Sequence, residues 1–182
     1  TVERAQALGF MRTPKDNYTL VGLYFNVGQF GRATELLYAG LKNGTIESIQ
    51  ANWELLAYSF QQVDKPFQAI EVLKEAAKHF PKSGQLDYQI AQIYYGLEKP
   101  NDAYNYLLSA VAKGHLEKPY AVYNFLAYVS YELTKFDEAL IAVDKAIASP
   151  GSEKEAQLPR LKQAIEDALK EREQLKAGIR TQ

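Results

Sequence analysis

Apolar residues in this chain fall into short stripes at helical spacing, each followed by a break. In the segment NWELLAYSF, Trp53, Leu56, Ala57 and Phe60 recur at intervals of three and four and so share one face of a helix. After the break, Ala69, Leu73 and Ala76 form a second stripe, and Pro81 stops it. Two amphipathic helices of this kind must bury their stripes on each other. The alanines set how closely they approach, because a small side chain lets two backbones meet while large neighbours fill the gaps.

The device repeats. Ile90, Ala91, Tyr94, Ala103, Leu107 and Ala110 restate it with Asp87 in the place of the tryptophan. Leu20, Tyr24, Ala33, Leu37 and Gly40 form a copy upstream; Tyr123, Leu126, Ala127, Ala139, Val143 and Ala146 form one downstream. The anchor alanines Ala33, Ala69, Ala103 and Ala139 are separated by 36, 34 and 36 residues. The two longer spacings place their extra residues in KNGTIE and AKGHLE, which align Gly44 with Gly114, Ile46 with Leu116 and Glu47 with Glu117. A glycine just past a helix is the usual left-handed cap. In the fourth copy Ser130 stands where Phe60 and Tyr94 sit, which predicts a slight rotation of that helix. After Pro150, Leu158, Leu161, Ile165 and Leu169 share a face, with Leu175 a candidate to extend it. Ser152 and Glu155 have the spacing of a capping box, and Pro159 must begin or kink the helix that follows. The stretch reads as a capping helix with a polar outer face, supported locally by the pairs Lys162 with Glu166 and Glu166 with Lys170.

The pattern Trp53-x2-Leu56-Ala57-x2-Phe60, then Ala69-x3-Leu73-x2-Ala76 and Pro81, resembles the tetratricopeptide repeat. The resemblance implies an all-α, right-handed α-solenoid of helix-turn-helix repeats over 14–49, 50–83, 84–119 and 120–151. Residues 1–13 would then be the second helix of a truncated preceding repeat, and 152–182 the capping helix and tail. The opening at Thr1, without an initiator Met, reads as a fragment lacking its N-terminus. The NWELLA opening, the KGHL turn and the charged tail further resemble bacterial repeat proteins associated with TonB-type energy-transducing systems. That second resemblance implies an exported, periplasmic accessory protein and carries over no catalytic residue.

Composition narrows the functional classes. With 47% apolar and 24% charged residues the chain is globular. Twenty-one basic against 22 acidic residues leave a net charge of -1, so no overall field holds nucleic acid or an anionic membrane. The absence of cysteine removes thiol nucleophiles, disulfides and thiolate metal sites and suits either redox compartment. No run of 18 apolar residues suggests membrane insertion. His79 and His115 fall in turns, outside metal-ligand spacing, and are expected to be solvated or capping. Gly22, Gly28, Gly31 and Gly40 are scattered rather than set between a strand and a helix, and the acidic run EDALKEREQ is a solvated face. The expectation is therefore a non-enzymatic chain with no catalytic residue, no metal and no cofactor.

Thirteen tyrosines against one tryptophan are the one skew. Tyr24, Tyr94 and Tyr123 occupy pattern positions, where packing accounts for them; Trp53 joins them as core. The family resemblance implies that the first helix of each repeat lines a concave groove, which puts Tyr58, Gln62, Gln89, Gln92 and Tyr128 on its face. Tyr88, Tyr95, Asn124 and Tyr131 run along one edge. These nine are the candidate partner-binding residues. For the edge tyrosines two readings stay open, packing against the adjacent repeat or exposure to a partner, whereas Tyr58 and Tyr128 are expected to be exposed. Only Lys15 is basic on the groove face, so a carboxylate clamp is not expected. The implied partner is a protein or peptide presenting an uncharged extended segment, proline-rich in the favoured case. The rival reading is a structural repeat protein that self-associates as a homo-oligomer.

Overall fold

The computed structural model describes Arg4 and residues 13–180. The helix expected within residues 1–13 lies outside the described residues. Among the described residues there are nine α-helices and no strand: α1 (Pro14–Asn26), α2 (Phe30–Asn43), α3 (Gln50–Gln62), α4 (Pro66–His79), α5 (Gly84–Gly96), α6 (Pro100–Lys113), α7 (Pro119–Glu132), α8 (Phe136–Ala148) and α9 (Leu158–Arg180). Proline opens α1, α4, α6 and α7. Its missing N–H has no intrahelical partner to lose there, and its fixed φ suits the first turn. Thr13 and Asp16 close a capping box around the start of α1, with Asp16 N donating to Thr13 Oγ1 at 3.2 Å and Thr13 N to Asp16 Oδ2 at 3.1 Å.

The four helix pairs α1/α2, α3/α4, α5/α6 and α7/α8 are joined by the same turn. Lys65 N donates to Phe60 O at 2.9 Å and Asp64 N to Gln61 O at 3.1 Å; Gln29 and Gly28, Lys99 and Glu98, and Lys135 and Thr134 repeat the two bonds. This is the Schellman ending, and it needs a left-handed residue. Gly28, Asp64, Glu98 and Thr134 supply it, at φ 70, 57, 57 and 58°. Each stands the same distance before an anchor alanine, so one local turn geometry explains the constant position of Ala33, Ala69, Ala103 and Ala139. Ser130 O accepts from Lys135 N at 2.8 Å as Tyr94 O does from Lys99 N. Hence α7 keeps the register of the other first helices, and the rotation expected from Ser130 does not occur. The small side chain is simply buried, with no hydrogen-bond partner for its hydroxyl, while Tyr131 leans on the Phe136 ring at 5.7 Å.

The chain divides into two compact units that part between Phe80 and Pro81. In the first, Ala33, Leu37, Leu56, Ala69, Leu73 and Ala76 are fully buried. Trp53 is core, its Nε1 donating to Ser48 Oγ at 3.0 Å and its indole stacked on His79 at 5.4 Å. Ile46 folds back from the KNGTIE turn, its N–H donating to Gly40 O at 3.0 Å. A Cβ at Gly40 would lie 2.5 Å from Ile46 Cγ1, which is why glycine stands where the other pairs carry alanine. In the second unit Ile90, Ala91, Ala103, Leu107, Ala110, Ala139, Val143, Ala146 and Ile165 are fully buried. The aligned AKGHLE turn takes a different path there. Gly44 is left-handed at φ 78°, ψ 8°, but Gly114 pairs φ 71° with ψ -146°, and Leu116 is only half-buried.

After α8, Gly151 turns left-handed into a short 3-10 turn over Ser152–Lys154. Ser152 Oγ donates to Ile147 O at 2.9 Å and Glu155 is engaged elsewhere, so the capping box expected from their spacing does not form. Pro159 lies in the first turn of α9 and begins the helix rather than kinking it. Leu158 and Ile165 are buried, but Leu175 is 63% exposed and does not extend the packed stripe. Arg172 holds both carboxylate oxygens of Asp137, at 2.7 and 3.0 Å, and Lys162 bonds Asp144 at 2.7 Å, tying α9 to α8.

Candidate functional site

The second unit contains a concave pocket of about 720 Å³. Tyr88, Gln92 and Tyr95 reach it from α5 at the i, i+4, i+7 spacing of one helical face, and Ala121, Asn124, Phe125 and Tyr128 reach it from α7 on the same principle. Glu155, Gln157, Arg160 and Leu161 close it from the segment that leads into and begins α9.

Four aromatic rings form a continuous surface. Phe125 meets Tyr95 edge-on at 5.2 Å and 86°, and Tyr88 at 6.3 Å and 78°; Tyr95 meets Tyr128 at 6.2 Å and 75°. Edge-to-face contacts of this kind fix ring orientation as well as burying area. Tyr88 and Tyr95 each pack on the neighbouring helix with part of the ring and line the pocket with the rest. Burial, and after it the nearby Glu155 carboxylate, raises the pKa of the Tyr88 hydroxyl above its ordinary value. Burial, with the Tyr128 hydroxyl and Glu132 beside it, raises that of Tyr95 further. Both hydroxyls therefore keep their protons and can donate. Asn124 Nδ2 donates to Glu155 Oε2 at 3.1 Å.

Five of the nine candidate residues meet here: Tyr88, Gln92, Tyr95, Asn124 and Tyr128. Gln89 and Tyr131 are half-buried and do not line the pocket. Tyr58 and Gln62 belong to the first unit. Tyr58 is 51% exposed and stacks on Phe25 at 6.4 Å; Gln62 edges a hollow with Gly28, Phe30 and Arg32. Gln85, on the same helical face in sequence, is buried and accepts from Glu117 N at 3.2 Å. Sequence reasoning missed Glu155, Gln157, Arg160 and Leu161, having assigned them to the cap. No periodic signal marks Glu155, Gln157 or Arg160, because they precede or begin a helix whose apolar stripe faces α8, and Leu161 was read only as a member of that stripe. Among the described residues no group of three or more His, Asp or Glu is placed to hold a metal ion, and no helix is long and apolar enough to cross a membrane.

No protein-family model and no curated protein matches this chain. Solved structures do. A crystal structure of MamA protein aligns with a TM-score of 0.63 at 21% identity, over 92% of this chain and 95% of that one. BtubC (BKLC) from P. vanneervenii aligns at 0.60 and 18% identity, over 98% and 88%. A thermophilic TPR protein in Thermus thermophilus aligns at 0.56 and 21% identity, over 92% and 87%. The fold is tetratricopeptide-like.

Proposed function

We propose that this chain is a non-enzymatic protein-interaction scaffold that takes an extended segment of a partner protein in the pocket between α5, α7 and the start of α9. The observation that carries this reading is the continuous surface of Tyr88, Tyr95, Phe125 and Tyr128, open to solvent and rimmed by Gln92, Asn124 and Gln157. Rigid aromatics offer contact area at low entropy cost, and amides match the donors and acceptors of a peptide backbone. A polyproline segment suits such a surface, since it is already extended and its carbonyls are free. The test is a proline-rich peptide library panned against the chain, with affinities of the selected peptides measured for wild type and Tyr128→Ala. Tyr128 is 42% exposed, so its truncation should leave the chain folded, lowering stability by no more than about 0.5–1.5 kcal/mol through the lost edge contact with Tyr95, while weakening binding by about 1–2 kcal/mol. Equal affinity in the variant overturns the reading.

The sequence resemblance alone supports a narrower version, in which the partner belongs to a periplasmic TonB-type complex. A pull-down from periplasmic extract that returns a protein with a proline-rich span supports it; one that returns none removes it.

A further inference from the structure

We propose that the segment this pocket accepts carries a lysine or arginine, whose cation seats against Glu155 while its stem lies across Tyr88 and Phe125. This rests on the groove reading above and adds the charge that the groove selects. Glu155 is half-buried, and its hydrogen-bond partner is the neutral amide of Asn124. Arg160 lines the same pocket but is exposed, and it forms no ion pair with any described carboxylate. Of the two charges that line the pocket, the anion Glu155 is half-buried and the cation Arg160 exposed, and neither has an ion-pair partner among the described residues. An unpaired charge costs more the further it is withdrawn from water, so a counterion delivered to Glu155 gains more than one delivered to Arg160.

The aromatic surface favours the same ligand. Tyrosine and phenylalanine faces attract a cation through their quadrupole, and the methylene stem of lysine or arginine covers apolar rings while its head reaches a carboxylate. The chain already uses this combination: Lys42 Nζ lies 5.6 Å from the centre of the Tyr38 ring and bonds the Glu75 carboxylate. The inference departs from the uncharged segment expected from the sequence, where Glu155 had no place in the groove.

The test uses short, end-blocked, fluorescently labelled proline–alanine peptides that differ only in a central arginine, alanine or glutamate, with binding to the full chain read by anisotropy. The arginine peptide should bind about tenfold more tightly than the alanine peptide. Glu155→Gln should erase that advantage, so that the arginine and alanine peptides bind the variant equally, and Arg160→Gln should preserve it. Added salt should shrink it. If arginine confers no advantage, or glutamate binds best and depends on Arg160, while Tyr128→Ala still weakens every peptide, the charge inference fails and the groove reading stands. If no peptide binds, or binding ignores Tyr128→Ala, both fall together.

Discussion

Lys113 Nζ bonds Asp87 Oδ2 at 2.7 Å, at the place where His79 stacks on Trp53 one repeat of 34 residues earlier. Both members of the contact changed together between the two pairs: an aromatic stack in one, an ion pair in the other. Asp87 is 2% exposed and also accepts from Ser109 Oγ at 2.5 Å. Removing Lys113 would strand a buried carboxylate with one neutral partner. Lys113→Ala should lower stability by about 2–3 kcal/mol in chemical denaturation, and Asp87→Ala in the same chain should recover part of that loss. A neutral Lys113→Ala would show that the pair contributes nothing.

Gly84 and Gly22 are both helical glycines, yet they should respond oppositely to alanine. Gly84 N donates to Gly114 O at 2.9 Å, and a Cβ there would lie 2.2 Å from Ala110 O and 2.3 Å from Gly114 O. Backbone must move to admit it, so Gly84→Ala should cost about 1–3 kcal/mol. A Cβ at Gly22 would meet nothing within 4 Å, and Gly22→Ala should stabilise by about 0.5–1 kcal/mol through the unfolded chain. Denaturant midpoints of the two variants should fall on opposite sides of wild type.

Thr134 holds the left-handed position of the α7/α8 turn at φ 58°. A β-branched side chain is the least suited of the four residues found there, and Gly28 is the best. Thr134→Gly should raise stability by roughly 0.5–1 kcal/mol, the strain relieved exceeding the added entropy of the unfolded chain. Gly28→Ala should do the reverse. A lower melting temperature for Thr134→Gly would mean that the Thr134 side chain contributes more than its strain costs.

Alkaline pH should unfold the chain through its buried tyrosines. Burial, and then its hydrogen bond to Glu138, pushes the Tyr104 hydroxyl up from an ordinary value of 10.0 to about 12. The unfolded chain therefore loses this proton first. Between about pH 10 and 12 the folded state binds more protons than the unfolded, so stability falls as pH rises, having been fully present below pH 10. Tyr88 and Tyr95 shift in the same direction and add to the slope. Melting temperature followed across this range should decline more steeply for wild type than for Tyr104→Phe. Parallel curves would remove Tyr104 from the account.

The helices, their pairing and the anchor alanines were legible in the sequence because helical periodicity is local: Trp53, Leu56, Ala57 and Phe60 declare a face without reference to any other part of the chain. The register of α7 was misjudged from the side chain at Ser130, since what holds it is the backbone bond from Lys135 N to Ser130 O, which any residue can accept. The pocket was half legible. Helical spacing put Tyr88, Gln92, Tyr95, Asn124 and Tyr128 on shared faces, but it could not show that Tyr131 turns to Phe136 or that Gln85 is buried under Glu117. Least legible was the wall made by Glu155, Gln157 and Arg160. The bond that brings Glu155 to Asn124 joins residues 31 positions apart, and one of them lies in an irregular segment with no periodicity to read. Local patterns determine which residues share a face. Which faces meet, and which carboxylate is left without a counterion between them, depends on how the segment between α8 and α9 turns back, and that is decided only when the helices pack.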